Sequence, residues 1–213
     1  MSKLSKAKYK EFIISIIAVM GIQAISYFLI KTFISNYNTI STRLDFPLIK
    51  EFVYIYNSWY PFIILSVFIV FKNNTKTART LLFTMLIAGI LGHITFILYP
   101  TTIIRPSIEI KNLTDLLLDI TYKIDSPAVN CLPSIHCIYC FITSFYICYC
   151  KELKSKVKIP FVIYSFLIVL STLFTMQHII EDVIFSLVYS SICITIALIF
   201  KDNINNAIKK VFG

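Results

Sequence analysis

Charge is scarce in this chain of 213 residues: Asp, Glu, Lys and Arg make up 15% of it, against 57% hydrophobic residues and a mean hydropathy of +0.79. That balance excludes an ordinary water-soluble domain and leads to the expectation of one polytopic membrane domain over 1–213. Acidic residues are the scarcer sign, 11 against 20 basic, giving a net charge of +9. Nucleic acid is not the expected partner, because the positive residues cluster in short loops between apolar runs. The six cysteines (131, 137, 140, 148, 150 and 193) lack any disulfide-framework spacing, and most lie inside apolar runs, so they read as small core hydrophobes. His136, Cys137 and Cys140 fall within one helical turn with no fourth ligand nearby, which argues against a metal site. There is no clear internal repeat, no low-complexity segment and no cleavable signal. The first apolar run is too long for a signal h-region and lacks a small-x-small site, so it reads as a retained anchor. No charged residue sits in the middle of an apolar run, and no inverted repeat or broken-helix pair is visible, which argues against a transporter.

What is present is a series of six apolar runs, at 12–30, 52–71, 80–99, 134–150, 159–176 and 183–200. They predict an all-α bundle of six transmembrane helices. Trp59 with Tyr54, Tyr56 and Tyr60 fits an aromatic belt near the start of the second run, and Pro61 predicts a kink there. Gly89-x-x-Gly92 predicts close packing in the third run. His93 in the same run either joins a site or packs as a hydrogen-bonded residue, and the second is the expectation. Between the third and fourth runs, Leu113, Leu116, Leu117 and Ile120 recur at helical spacing and predict a short interfacial helix. Its acids, Asp115 and Asp119, read as a solvated face, the alternative being headgroup selection. The basic tail from Lys201 onward is expected to fray at the membrane surface.

The distribution of positive charge orients the bundle. The N-terminus and the segments 72–79, 151–158 and 201–213 carry fourteen of the twenty Lys and Arg residues. The opposite side holds Lys31, Arg43, Lys50, Arg105, Lys111 and Lys123. The positive-inside rule then puts both termini in the cytoplasm. In a bacterial host the membrane would be the plasma membrane.

Polar chemistry is concentrated on the other side, at the edges of the apolar runs. Ionisable groups in such places are functional candidates by default. His178 and Asp182 are four residues apart, so on a helix the carboxylate reaches the imidazole and fixes its tautomer. Ser134 follows Pro133 at the start of a run and suits an N-cap, with His136 in the first turn. Free N–H groups at that helix start suit an anion such as phosphate. Asn130 either contacts the anion or holds the turn before Pro133. Arg105, Ser134, His136, His178 and Asp182 come from three segments and all fall at the extracytoplasmic face.

P-S-x-H at 133–136, then S-x6-H-x3-D at 171–182, with Arg105-Pro106 before both, resembles the type 2 phosphatidic acid phosphatase (PAP2) superfamily. That family's pattern is K-x6-R-P, P-S-G-H and S-R-x5-H-x3-D. The resemblance implies metal-independent phosphoryl transfer without a cofactor, on a lipid phosphate substrate. His178 would be the nucleophile, Asp182 its orienting partner and His136 the acid for the leaving group. Arg105 and Ser134 would bind the phosphate, joined by Asn130 where it contacts the anion and does not merely hold the turn, and by Ser171 unless its hydroxyl bonds a carbonyl one turn back. The family's first Lys falls at Leu98, its third-motif Arg at Thr172 and its Gly at Ile135. This trimmed pattern, with Tyr99-Pro100 and Gln177 beside His178, is similar to the inositolphosphotransferase and sphingolipid-synthase branch. A lipid phosphatase is therefore the leading expectation. A phosphotransferase to an alcohol such as inositol is the alternative, and a non-catalytic lipid-binding protein the third.

Overall fold

The computed structural model describes residues 3–40 and 46–212. Arg43 and Asp45 of the first loop lie outside them. In chain order the elements are α1 (Lys3–Phe33), β1 (Asn38–Thr39), α2 (Phe52–Asn57), α3 (Trp59–Asn73), α4 (Thr75–Leu98) and β2 (Thr101–Thr102). They continue with α5 (Leu113–Ile124), α6 (Ile135–Tyr149), α7 (Ser155–Phe174), α8 (Ile180–Ile199) and α9 (Lys201–Phe212). Helices α1, α4, α7 and α8 are long and apolar enough to cross a membrane, as an integral membrane protein requires. Helices α3 and α6 are also apolar but only 15 residues each.

Helix ends follow local chemistry. Asn74 caps α4 by accepting the Thr77 N–H at 2.9 Å, and Asn112 caps α5 by accepting that of Asp115 at 3.0 Å. Ser134 caps α6 as expected, though its bond from Cys137 N is long at 3.4 Å. The kink assigned to Pro61 appears as a break at Ser58 instead. Pro61 has no N–H for the carbonyl of Asn57, four residues back, and its ring crowds that carbonyl, so the helix stops there and restarts. The tail also departs from expectation, since it folds as α9. Ile204 is buried, and Asn205 Nδ2 donates to Thr80 Oγ1 at 3.3 Å, so the tail is docked on α4 and does not fray.

Helix α6 is central, packed against α3, α4, α7 and α8. Tyr139, Tyr146, Ile138, Ile142 and Ile147 on it are fully enclosed, and one core of buried residues runs through α1, α3, α4, α6, α7 and α8. Serines key α6 to α8: Ser186 Oγ donates to Ser134 O at 3.0 Å and Ser190 Oγ to Ile138 O at 3.3 Å. Gly89 makes room for a polar group between α1, α4 and α6. There Gln23 meets His93 Nε2 at 3.2 Å and accepts from Tyr139 Oη at 3.4 Å. A Cβ on Gly89 would come within 2.7 Å of Gln23 Oε1. His93 is thus a hydrogen-bonded packing residue.

The two ends of the bundle differ. At one, Arg79 forms a two-pronged ion pair with Glu11, at 2.5 and 2.7 Å, and Asn74 Nδ2 donates to Glu152 at 2.6 Å. With α9 beside Thr80, both the α1 start and the chain tail gather here. At the other end the long connections interlock. β1 pairs in parallel with β2, Thr101 bridges to Asn130, Ile49 N donates to Phe174 O at 2.9 Å and Tyr122 Oη to Thr175 O at 2.7 Å. Helix α5 lies across this end. Its Asp115 is not solvated as expected but buried, taking the Lys50 ammonium at 2.7 Å and the Lys111 N–H at 3.0 Å. Leu113, Leu116, Ile120 and Ile124 on the other face are exposed.

Candidate active site

The interlocked end holds the polar residues singled out above. The chain leaves α7 through a turn in which Gln177 N donates to Thr172 O at 3.0 Å and Met176 N to Leu173 O at 3.0 Å. This closure needs a left-handed residue, and Met176 takes that conformation with φ of 51°. The turn delivers His178 immediately before α8. Its Nδ1 lies 3.0 Å from Asp182 Oδ2, which also accepts the Ile179 N–H at 3.2 Å. The predicted contact is therefore made, but by a carboxylate at the third position of a helix reaching back over its own N-terminus. With Nδ1 on the carboxylate, Nε2 is the ring nitrogen left to react.

His136, in the first turn of α6, lies with its ring centroid 6.2 Å from that of His178. It stacks on Tyr56 at 4.7 Å and leans on Trp59 at 4.4 Å, while Trp59 Nε1 donates to the His136 carbonyl at 3.2 Å. Tyr56 and Trp59 are buried, whereas Tyr54 and Tyr60 are exposed, so half of the expected aromatic belt turns inward to hold this imidazole.

Both histidines open onto a cavity of about 190 Å³, lined also by Arg105, Asp125, Asn130 and Gln177. Arg105 uses Nη2 to hold Asp125, while its Nε is buried without a hydrogen-bond partner. Burial pulls the Arg105 guanidinium pKa down and pushes the Asp125 carboxyl up to about 8. The guanidinium also lies over the Tyr122 ring, 5.2 Å from its centroid. Asn130 donates weakly to Tyr27 O at 3.4 Å, and its Oδ1 has no partner. Gln177 is 1% exposed, with neither amide atom hydrogen-bonded.

Ser134 and Ser171 are fully buried and are not among the residues lining this cavity. The Ser134 hydroxyl caps α6, and that of Ser171 donates to Ile168 O at 2.6 Å. Leu98, at the family's Lys position, is 77% exposed, and Thr172, at its Arg position, gives its carbonyl to the His178 turn. Lys111 and Lys123 are exposed and paired with Glu109 and Asp119. Among the described residues lining the cavity, Arg105 is the strong cation.

The order and convergence of these segments agree with a whole-domain comparison: the family model for the PAP2 superfamily matches residues 33–196. The chain belongs to the PAP2 superfamily. Searches of curated proteins and of solved structures return no match. Membership of PAP2 points to phosphatase-type chemistry on lipid phosphates. Three residues around the PAP2 cavity go beyond those the sequence singles out for the site. Asp125 gives no signal, being twenty residues from Arg105 at the far end of α5, with an irregular stretch before that helix to break any register. Tyr56 and Trp59 do carry one, but their three-residue spacing on one helical face fits lipid headgroups as well as it fits a cavity.

Proposed function

We propose that the protein is an integral-membrane lipid phosphatase acting through a phosphohistidine. The observation that carries this reading is the His178–Asp182 pair facing His136 across a cavity that also contains Arg105. Six helices, α1, α2–α3, α4, α6, α7 and α8, span the bilayer, with α5 at the interface. Both termini are cytoplasmic and the cavity is extracytoplasmic, following the charge distribution.

The lipid phosphate enters between the two imidazoles, and Arg105 Nε donates to a non-bridging oxygen. The His178 Nε2 lone pair attacks phosphorus in line as the bond to the lipid oxygen breaks. His136 gives its proton to that departing oxygen. Asp182 holds the ring and stabilises the positive charge that develops on it. Water then attacks the phosphorus, returns a proton to His136 and breaks the phosphorus–nitrogen bond, releasing phosphate.

A second reading is favoured by the missing cations. With Leu98 at the surface and Thr172 committed to the turn, a doubly charged monoester meets one guanidinium, whereas a phosphodiester carries only one negative charge to offset. In that reading an alcohol takes the place of water in the second step, and the protein is a phosphotransferase.

Phosphate release from a panel of lipid phosphates and diphosphates in EDTA, with His178→Ala as control, tests the proposal. Release that survives EDTA and vanishes in the variant supports the phosphatase. Product formed only when glycerol or inositol is added supports the transferase. Undiminished turnover in His178→Ala refutes both.

A further inference from the structure

The hydrogen-bonding inventory of the cavity does not match a phosphate alone. A phosphoryl group offers acceptors, which suits Arg105 Nε and Gln177 Nε2, two buried donors without partners. Gln177 Oε1 and Asn130 Oδ1 are buried acceptors without partners, and phosphate gives them nothing. Gln177 is 1% exposed and Asn130 8%, so bulk water does not compensate either amide. Native proteins rarely leave such groups unmet. A ligand that meets all four atoms both donates and accepts. An ammonium group only donates and leaves Gln177 Nε2 dependent on the phosphate, whereas a hydroxyl meets both atoms of that amide by itself. The lining suits the same chemistry: Tyr56 and Trp59 also line the cavity and add apolar surface for the carbon skeleton between hydroxyls.

We infer that Gln177 and Asn130 form a subsite for a hydroxyl-bearing group, either the headgroup of the donor lipid or a free polyol acceptor. This rests on the phosphoryl-transfer reading of the same cavity. Gln177 directly precedes His178 in the turn closed by Met176, so a hydroxyl bound there lies beside the nucleophile. The subsite makes Gln177 a specificity-determining residue, and it recognises neutral oxygen chemistry at a site short of cations.

Trp59 is the chain's single tryptophan and lines the cavity, so its fluorescence reports occupancy without turnover. The detergent-purified full chain is titrated with dihexanoyl phosphatidylglycerol, dihexanoyl phosphatidylethanolamine and dihexanoyl phosphatidic acid, and separately with free glycerol and inositol. Expected is binding of the phosphatidylglycerol, or of a free polyol, about tenfold or more tighter than of the two lipids without hydroxyls in the headgroup. Preference for the lipid identifies a donor headgroup, and response to the free polyol identifies an acceptor. In Gln177→Met, similar in volume and without the amide, the preference falls to within about threefold. Equal affinity for all ligands in the wild type means that water fills the amides and overturns the inference, even if the variant does not fold. A preference that persists in folded Gln177→Met overturns it too. The same titration on His178→Ala separates the two claims. Retained turnover there removes the phosphoryl-transfer reading, while the fluorescence preference still decides the subsite.

Discussion

Replacing Asp182 by Asn and by Ala separates the charge of this carboxylate from its positioning. Asp182 is fully buried, and its Oδ2 accepts from both the His178 ring at 3.0 Å and Ile179 N at 3.2 Å, while Oδ1 has no partner. An asparagine has one orientation that keeps both bonds: its oxygen at the Oδ2 position and its amide nitrogen at the unpartnered Oδ1 position. The reverse orientation would set N–H against N–H at Ile179. Asp182→Asn thus preserves the tautomer and the cap and loses only the charge. The difference between a charged and a neutral hydrogen bond is about 1–1.5 kcal/mol, or roughly tenfold in kcat. Asp182→Ala loses the bond to His178 outright and frees the ring, so a fall of at least about 100-fold is expected. It also removes the α8 cap, with about 0.5–2 kcal/mol of stability. Initial rates on the preferred lipid phosphate, with thermal unfolding in the same detergent, give both quantities. Equal losses in the two variants would refute the division into charge and positioning. Unchanged rates in both, where His178→Ala is dead, would show that the carboxylate does not serve the imidazole.

Three further outcomes follow from named contacts. His136→Ala should slow turnover of a lipid phosphate by about 10²–10⁴ but spare p-nitrophenyl phosphate, whose leaving group needs no proton; equal losses on the two substrates rule out an acid role. The Asp125 carboxyl is protonated below its raised pKa of about 8 and ionised above it, where it competes with substrate for Arg105. KM should therefore rise between pH 7 and 9 in the wild type and stay flatter in Asp125→Asn, and matching profiles would count against this competition. Gly21 has nothing within 4 Å of an added Cβ, whereas Gly89 has Gln23 Oε1 at 2.7 Å and Tyr139 Oη at 2.9 Å. Gly21→Ala should stabilise by up to about 1 kcal/mol, while Gly89→Ala suffers overpacking of about 1–3 kcal/mol against that same propensity gain; unfolding in detergent with Gly89→Ala as stable as Gly21→Ala contradicts the packing.

The helical elements are legible in the sequence because each apolar run is bounded by something that stops a helix or caps one. Asn74 and Ser134 are caps, and Tyr99-Pro100 ends α4. The His178–Asp182 contact is legible from spacing, although a reach across a helix start, not a shared helix face, makes it. What the sequence conceals depends on which way a side chain turns at a junction. Asp115 looks like any surface acid until Lys50, from a loop 65 residues away, reaches it. The Arg105–Asp125 pair likewise joins an irregular segment to the C-terminal end of α5, an approach no periodicity announces. The tail reads as frayed because it is short and basic, and docking on α4 is what makes a stable helix of it.

The shortness of α6 leaves a step in the bundle at the end that holds the cavity. Its 15 residues extend roughly 22 Å, while its 20-residue neighbours α7 and α8 extend about 30 Å, close to the hydrocarbon thickness of a bilayer. Helix α7 ends level with the start of α6, Thr172 Oγ1 lying 3.6 Å from Cys137 Sγ, whereas α8 overshoots it, since Ser186, six residues into α8, donates to Ser134 O at the α6 cap. The first turns of α8 thus stand roughly 9 Å beyond the start of α6. Under the proposed function a lipid phosphate has to pass this step to meet the imidazoles, which makes leaflet fluidity a kinetic variable. Short-chain lipids in micelles should outpace the same headgroup held in a gel-phase bilayer.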